Sequence, residues 1–505
     1  MTKAAKLASG NLGDIIPRDA AFDSVGLIDL RADAKEWTFH QLHDLSNAVA
    51  RGLLARGHRR GARIAILAEN SAEFTLSYLG IMRAGLVAVP INFRLPSDTI
   101  AYVLEDCQAA AVIVDSARRE LVPEKYPLID IDTTADDSFA ALLDRGPFDA
   151  VTPQAGEIAE ILYTSGSTGR PKGVPLSHDG QLWALNRYVN AQSPDQERTL
   201  VVAPTYHMNG LFFTTVALAN KWLNVLMPRF DARAYLKAVA EYRCTILSGI
   251  PPMFALMARE RDLLATLDLT SPQTVTIGSA PLTQALIDRV RAIFPQASIR
   301  NSYGSTEAGP YVFGPHPQGI ERPPLALGHP LSDVEWRLVG GAGPDEGALE
   351  IRTPALFKGY LNLPQATADK LHDGWYATGD ILRRDENGFL FFVGRVDDMF
   401  VCGGENVYPG EIEMLLERHP AVMQAAVLPV PDDVKGQIPI AFVVTAPGAQ
   451  VTADELKQFT LREGPAYAHP RAIVFVDSLP VGGSHKIDKR QLQERALAVA
   501  GTLQR

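Results

Sequence analysis

The run Tyr163-Thr164-Ser165-Gly166-Ser167-Thr168-Gly169-Arg170-Pro171-Lys172-Gly173 constrains this chain more than any other stretch. The apolar residues Ile158, Ile161 and Leu162 lead directly into it, so the loop opens at the end of a buried strand. Its glycines let backbone N–H groups turn toward an anion, and Thr164, Ser165, Ser167 and Thr168 add hydroxyl donors. Lys172 places a flexible positive charge at the loop's end. This is the composition of a polyphosphate cradle. It is not the common P-loop, because no Gly-Lys-Ser/Thr triplet follows at the required spacing. A flexible polar linker is the bland alternative, and the apolar lead-in argues against it.

Composition removes several classes. A chain of 505 residues exceeds one hydrophobic core, so two or more domains are expected. With 46% hydrophobic and 21% charged residues it reads as soluble and globular. A net charge of −10 without a long basic run argues against a nucleic-acid binder. Cys107, Cys244 and Cys402 are far apart, show no metal-ligand spacing and fit a reducing cytoplasm. The N-terminus has no continuous apolar h-region. The most apolar segment, Gly210 to Ala219, is about half a membrane span and reads as a core helix.

Short β-rich runs alternate with helical patterns through the first four-fifths of the chain. Arg63 to Leu67, Val87 to Ile91, Ala111 to Asp115, Leu200 to Ala203, Thr245 to Ser248 and Thr274 to Ile277 read as strands. Ser71 to Arg83 reads as a helix with Ser71 at its N-cap. The expected class is therefore α/β, with mostly parallel sheets flanked by helices and ligands beyond the strands' carboxyl ends. After residue 330, Gly347 to Thr353 and Gly388 to Gly394 read as antiparallel strands of a β-rich subdomain. Pro409 opens a helix, and strands at Ala425 to Val430, Ile440 to Val444 and Ile473 to Val476 follow. The expected domains are 1–396 and a small α+β lid, 397–505.

Four more clusters follow the loop: Pro204-Thr205-Tyr206-His207-Met208-Asn209-Gly210, Ile277-Gly278-Ser279-Ala280-Pro281-Leu282, Asn301-Ser302-Tyr303-Gly304-Ser305-Thr306-Glu307, and Gly374-Trp375-Tyr376-Ala377-Thr378-Gly379-Asp380. Gly394-Arg395 and Gly403-Gly404-Glu405-Asn406 come next. Each is weak alone, but their joint order is specific. From about Trp37 to Leu492 the chain resembles the adenylate-forming superfamily of acyl-CoA synthetases, luciferases and peptide-synthetase adenylation domains. That resemblance implies attack of a carboxylate on the α-phosphate of Mg-ATP, then displacement of AMP by a thiol, here coenzyme A.

The same resemblance implies residue roles. Thr164, Ser165, Gly166, Ser167, Thr168, Gly169 and Lys172 would hold the β- and γ-phosphates, and Thr306 would donate to the α-phosphate. Glu307 would be the Mg2+-associated carboxylate. Tyr303 would stack on adenine, with Asn301 reading its amino edge and Gly278, Ser279, Ala280 and Gly304 completing the nucleotide site. Asp380 would accept from the ribose hydroxyls, and Arg395 would reach ribose or phosphate. Lys486 fits the spacing of the family's C-terminal catalytic lysine, although His485 replaces the usual glycine; Lys489 is the competing choice. With Lys172, Thr306 and His207, Lys486 completes the catalytic candidates. Asp397 matches the hinge position, and Gly403 and Gly404 would line a thiol tunnel. Ala468 and His469 stand where many relatives carry a basic pair toward the CoA nucleotide.

For the acid, Trp183 and Arg187 at i,i+4 on one helix, with His207, Met208, Ser279, Ser302, Gly304, Gly309 and Pro310, are the pocket candidates. Gly304 and Gly309 are expected to leave an open, flat slot beside Tyr303. The segment Tyr303 to Pro310 resembles hydroxycinnamate and benzoate ligases, which favours an aromatic acid over a short- or medium-chain fatty acid. An amino-acid-activating domain would need an aspartate near His207, and none is there. A scaffold that has lost chemistry, or luciferase-like oxidation of the adenylate, are the rival classes. The partners expected are the acid, ATP and CoA, with neither nucleic acid nor a membrane span, and with room for a homodimer.

Overall fold

The computed structural model describes residues 10–19, 22–31, 34–164, 170–189, 197–279, 282–481 and 487–503. Ser165 to Gly169, Ala280 and Lys486 lie outside the described residues.

The N-terminal body is built on two sheets. A six-stranded sheet runs Leu128–Asp130, Ala109–Val114, Arg63–Leu67, Val87–Pro90, Ile158–Thr164, Lys172–Ser177, parallel until its last, antiparallel pair. Its central strands are nearly continuous runs of Ala, Ile, Leu and Val, the composition required of strands covered on both faces. The expected helix is present as Ala72–Arg83, and the Ser71 hydroxyl caps it by accepting from the Phe74 N–H at 3.1 Å.

A seven-stranded sheet runs Ser298–Ser302, Thr274–Gly278, Ile246–Gly249, Arg198–Val201, Leu223–Leu226, Val25–Asp29, Lys35–Thr38, again parallel until an antiparallel final pair. The helix Met208–Asn220 joins two of these strands, and every residue from Gly210 onward is buried in it. It is a core helix, as its short apolar run indicated. Among the described residues no helix is long and apolar enough to cross a membrane.

The β-rich subdomain is a five-stranded antiparallel sheet of Glu335–Gly343, Glu346–Arg352, Trp375–Arg384, Leu371–His372 and Leu390–Arg395. After Arg395 the chain makes one 3₁₀ turn, Val396–Asp398, and Phe400–Cys402 enters a different sheet. That sheet also contains Glu405–Val407, Gly436–Thr445, Val422–Asp432 and Ala472–Phe475, with the helices Pro409–Glu417 and Ala453–Glu463. Pro409 stands at the first helical turn, as expected, and Thr452 closes a capping box with Glu455. The C-terminal body is seated on the seven-stranded half: Arg289 donates to the carbonyls of Met423 and Val422 at 3.4 and 3.3 Å.

Candidate active site

The two strands that flank the glycine-rich run pair with each other. Thr164 and Lys172 face each other as the last pair of the antiparallel strands Ile158–Thr164 and Lys172–Ser177, at one end of the six-stranded sheet. Supports hold the shoulders of this pair. The Tyr163 hydroxyl donates to Asp106 at 2.7 Å, and the Arg170 guanidinium lies 5.1 Å over the Tyr102 ring. Lys172 Nζ lies 5.1 Å from the centre of the Tyr360 ring, whose hydroxyl donates to Glu307 Oε1 at 2.9 Å. Burial, together with the neighbouring Glu307 charge, pushes the Tyr360 phenol up, so it remains a donor. The loop lysine and the proposed metal carboxylate thus share one tyrosine.

Thr306 and Glu307 sit in a tight turn closed by reciprocal backbone bonds between Ser305 and Gly309, at 3.0 and 2.9 Å. A neighbouring segment fastens it: the Phe357 N–H donates to the Glu307 carbonyl at 2.8 Å, and the Thr353 hydroxyl donates to that of Ala308 at 2.7 Å. Glu307 is buried, with one carboxylate oxygen taken by Tyr360. A hard carboxylate with a second oxygen left over fits Mg2+, which keeps most of its shell for water and phosphate. Among the described residues no group of three or more His, Cys, Asp or Glu side chains converges on one point.

The nucleotide candidates form a second network. Asp380 and Arg395 are cross-strand neighbours, and Arg395 donates to Asp380 Oδ1 at 2.5 Å. Tyr303 donates to Asp380 Oδ2 at 2.5 Å, and its ring lies 5.3 Å from Phe313. Burial, then the Asp380 charge, raises the Tyr303 phenol far above its ordinary range. Arg395 also lies 3.6 Å from Asp397, the expected hinge. Gly278 and Ser302 are paired in register at the ends of adjacent strands, and Ser279, next along, holds a left-handed φ of 64°. His207 occupies the N-cap position of the Met208–Asn220 helix, with its ring edge-on to Tyr206 at 4.6 Å.

Two expectations need correction. The helix bearing Trp183 is His178–Leu185, preceded by a strand; Asn186 ends it, so Arg187 lies just past its end rather than within it. Both side chains turn to Asp333: the Trp183 indole donates to it at 2.7 Å, and Arg187 forms an ion pair with the same oxygen. Gly304 and Gly309 do not leave an open slot. A Cβ on Gly304 would lie 2.4 Å from the Pro310 backbone, and one on Gly309 would lie 2.9 Å from Ala355 and 3.6 Å from Trp183, so both glycines permit close packing. Asn301 donates from Nδ2 to the Leu325 carbonyl at 2.9 Å, which orients its side-chain amide. Gly403 and Gly404, with φ of 64° and 91°, form the two-residue turn between Phe400–Cys402 and Glu405–Val407, a left-handed backbone that favours glycine. Lys489, the rival lysine, is engaged by Glu413 at 2.7 Å.

Sequence reasoning passed over Tyr360, Asp333 and Asp106. Tyr360 follows Lys358-Gly359 between two recognised clusters, and that context was its available signal. The two aspartates carry none, since each acts through a partner distant in sequence.

Comparison with known proteins agrees with this geometry. Residues 17–361 match the AMP-binding enzyme family, and residues 411–486 match the AMP-binding enzyme C-terminal domain. The chain is 32% identical over 496 residues to a 4-coumarate–CoA ligase of Vanilla planifolia, covering 92% of this chain and 89% of that protein. It is 33% identical over 470 residues to a feruloyl-CoA synthase of Amycolatopsis sp, covering 90% and 93%. Its fold is similar to that of the anthranilate CoA ligase AuaEII in complex with anthranoyl-AMP, with a TM-score of 0.87 and 27% identity over 97% of this chain and 98% of that one. On these matches and on the arrangement above, the chain belongs to the AMP-binding enzyme family.

Proposed function

We propose that this protein is an ATP-dependent carboxylate–CoA ligase that activates an aromatic acid of the hydroxycinnamate or benzoate type. The observation that carries the reading is the Tyr303–Asp380–Arg395 unit, a stacking ring, a ribose acceptor and a cation held together. The relatives named for coumarate, ferulate and anthranilate support the aromatic class.

In the first step an acid oxygen attacks the α-phosphorus, the bond to the bridging oxygen breaks and pyrophosphate leaves. Both reactants are anionic, so Lys172, the Thr306 hydroxyl and Lys486 supply charge and donors where repulsion is greatest. Mg2+, held by Glu307 when bound, neutralises phosphate charge. In the second step the CoA thiolate attacks the acyl carbon and AMP departs. Asp397 serves as the hinge between steps, at the boundary of 1–396 and 397–505. A cytoplasmic location and a homodimer belong to the same proposal; light scattering tests the latter.

The test is a CoA-ligation screen over cinnamates, benzoates, hexanoate and octanoate, with ATP–pyrophosphate exchange alongside. The aromatic acids should lead in kcat/KM by about 10- to 200-fold. Octanoate outperforming every aromatic acid would overturn the substrate class, and no exchange with any acid would overturn the ligase.

A further inference from the structure

The Asp333 carboxylate lies in the segment joining His329–Pro330 to Glu335–Gly343, on the β-rich side of the molecule. Its Oδ2 receives both the Trp183 indole N–H at 2.7 Å and the Arg187 guanidinium. The same guanidinium lies 5.5 Å from the centre of the indole ring. An exposed ion pair contributes little to stability by itself, so its consequence here is geometric. A Trp N–H takes a partner wherever it can, and a cation over the ring face restrains the remaining rotation. The indole is therefore held at its N–H and its face, and its Cζ3 edge lies 3.6 Å from where a Gly309 Cβ would stand.

Gly309 is half of the reciprocal backbone pair with Ser305 that closes the turn carrying Thr306 and Glu307. Thr353 and Phe357 fasten this turn through the carbonyls of Ala308 and Glu307, and Trp183 packs against Gly309. We propose that Asp333 is a positioning residue for adenylate formation: it locks Trp183 against Gly309 and thereby fixes the turn that presents Thr306 and Glu307. This rests on the roles given to those two residues above. It also moves Trp183 from the wall of the acid pocket to the support of the phosphate-facing turn.

The experiment compares the wild type with Asp333→Ala, Asp333→Asn, Trp183→Phe and the Asp333→Ala/Trp183→Phe double variant. The readouts are ATP–pyrophosphate exchange with 4-coumarate and amide hydrogen exchange over residues 303–310. Asp333→Ala should lower kcat for pyrophosphate exchange about 10- to 100-fold, the scale of a small misplacement of a catalytic group, while the KM for the acid holds. Amide exchange across the turn should rise. Asp333→Asn still accepts from the indole and should recover most of both losses. The double variant should be no slower than Trp183→Phe alone. A loss confined to the KM for the acid, additive losses, or unchanged amide exchange in Asp333→Ala would overturn the proposal. A wild type that shows no pyrophosphate exchange with any of the cinnamates, benzoates, hexanoate or octanoate would remove the ligase reading instead, and amide exchange at the turn then decides the clamp without it.

Discussion

Tyr303 donates its phenolic proton to Asp380 across 2.5 Å, so the ring expected under adenine and the carboxylate expected on the ribose act as one unit. Tyr303 bonds one Asp380 oxygen and Arg395 the other, so the two side chains together fix the orientation of the carboxylate. Tyr303→Phe keeps the ring and deletes the bond. A hydrogen bond to a charged group is worth about 1.5–3 kcal/mol, so kcat/KM for ATP should fall about 10- to 100-fold. Adding Tyr303→Phe to Asp380→Ala should cost nothing further; additive losses in steady-state kinetics would show that the two residues act separately.

The two C-terminal lysines are separable. Lys489 is paired with Glu413, whose carboxylate also accepts from the Val427 N–H at 2.8 Å, so Lys489→Ala should disturb the C-terminal body by no more than about 1 kcal/mol and leave adenylation intact. Lys486→Ala should slow adenylation by about 10²–10³ while thioester formation from supplied acyl-adenylate persists. Measuring both half-reactions in both variants checks the assignment, and an adenylation-specific loss in Lys489→Ala would reverse it.

Glu160 predicts a pH dependence of stability. It is buried mid-strand, and burial pushes its carboxyl from 4.5 up to about 7, against the opposing effect of the Tyr78 hydroxyl that donates to it at 3.0 Å. Between those values the native state keeps a proton that the unfolded chain has lost. Stability therefore falls as pH rises through the window, by up to about 1.4 kcal/mol per unit, and is fully present only below it. Glu160→Gln is neutral throughout. The wild-type Tm should drop relative to this variant between pH 5 and pH 8 in scanning calorimetry; parallel Tm curves would mean that the carboxylate is ionised in the fold.

The hairpin turn at Gly403-Gly404 can be separated from the thiol path. Asn tolerates a left-handed φ, so Gly404→Asn should preserve the turn and the Tm while adding a side chain. Adenylation should persist and CoA transfer should fall at least about 10-fold, as one misplaced atom group can cost. Full CoA transfer in this variant would remove the tunnel from the account.

Asp397 lies in the single 3₁₀ turn between two sheets, where a rotation could be absorbed without breaking either. Asp397→Pro fixes φ near −65°, and the expected outcome is retained adenylate formation with loss of CoA transfer. Separate assays of the two steps decide it, and equal retention of both would exclude the hinge.

The sequence by itself determined what depends on near neighbours. Apolar runs alternating with helical patterns specified mostly parallel sheets, and the residues Ser71 and Pro409 marked helix starts because caps and fixed φ angles act within one turn. The ordered clusters specified the family, since each carries its chemistry in consecutive residues. Only the tertiary structure decided which charges meet. Asp380 finds Tyr303 across 77 positions and Asp333 finds Trp183 across 150, through packing of separate sheets and helices that no local period encodes. It also reversed the reading of Gly304: the missing Cβ looked like space in the sequence, yet the Pro310 backbone fills it. A glycine permits both an opening and a close approach, and its surroundings alone determine which occurs.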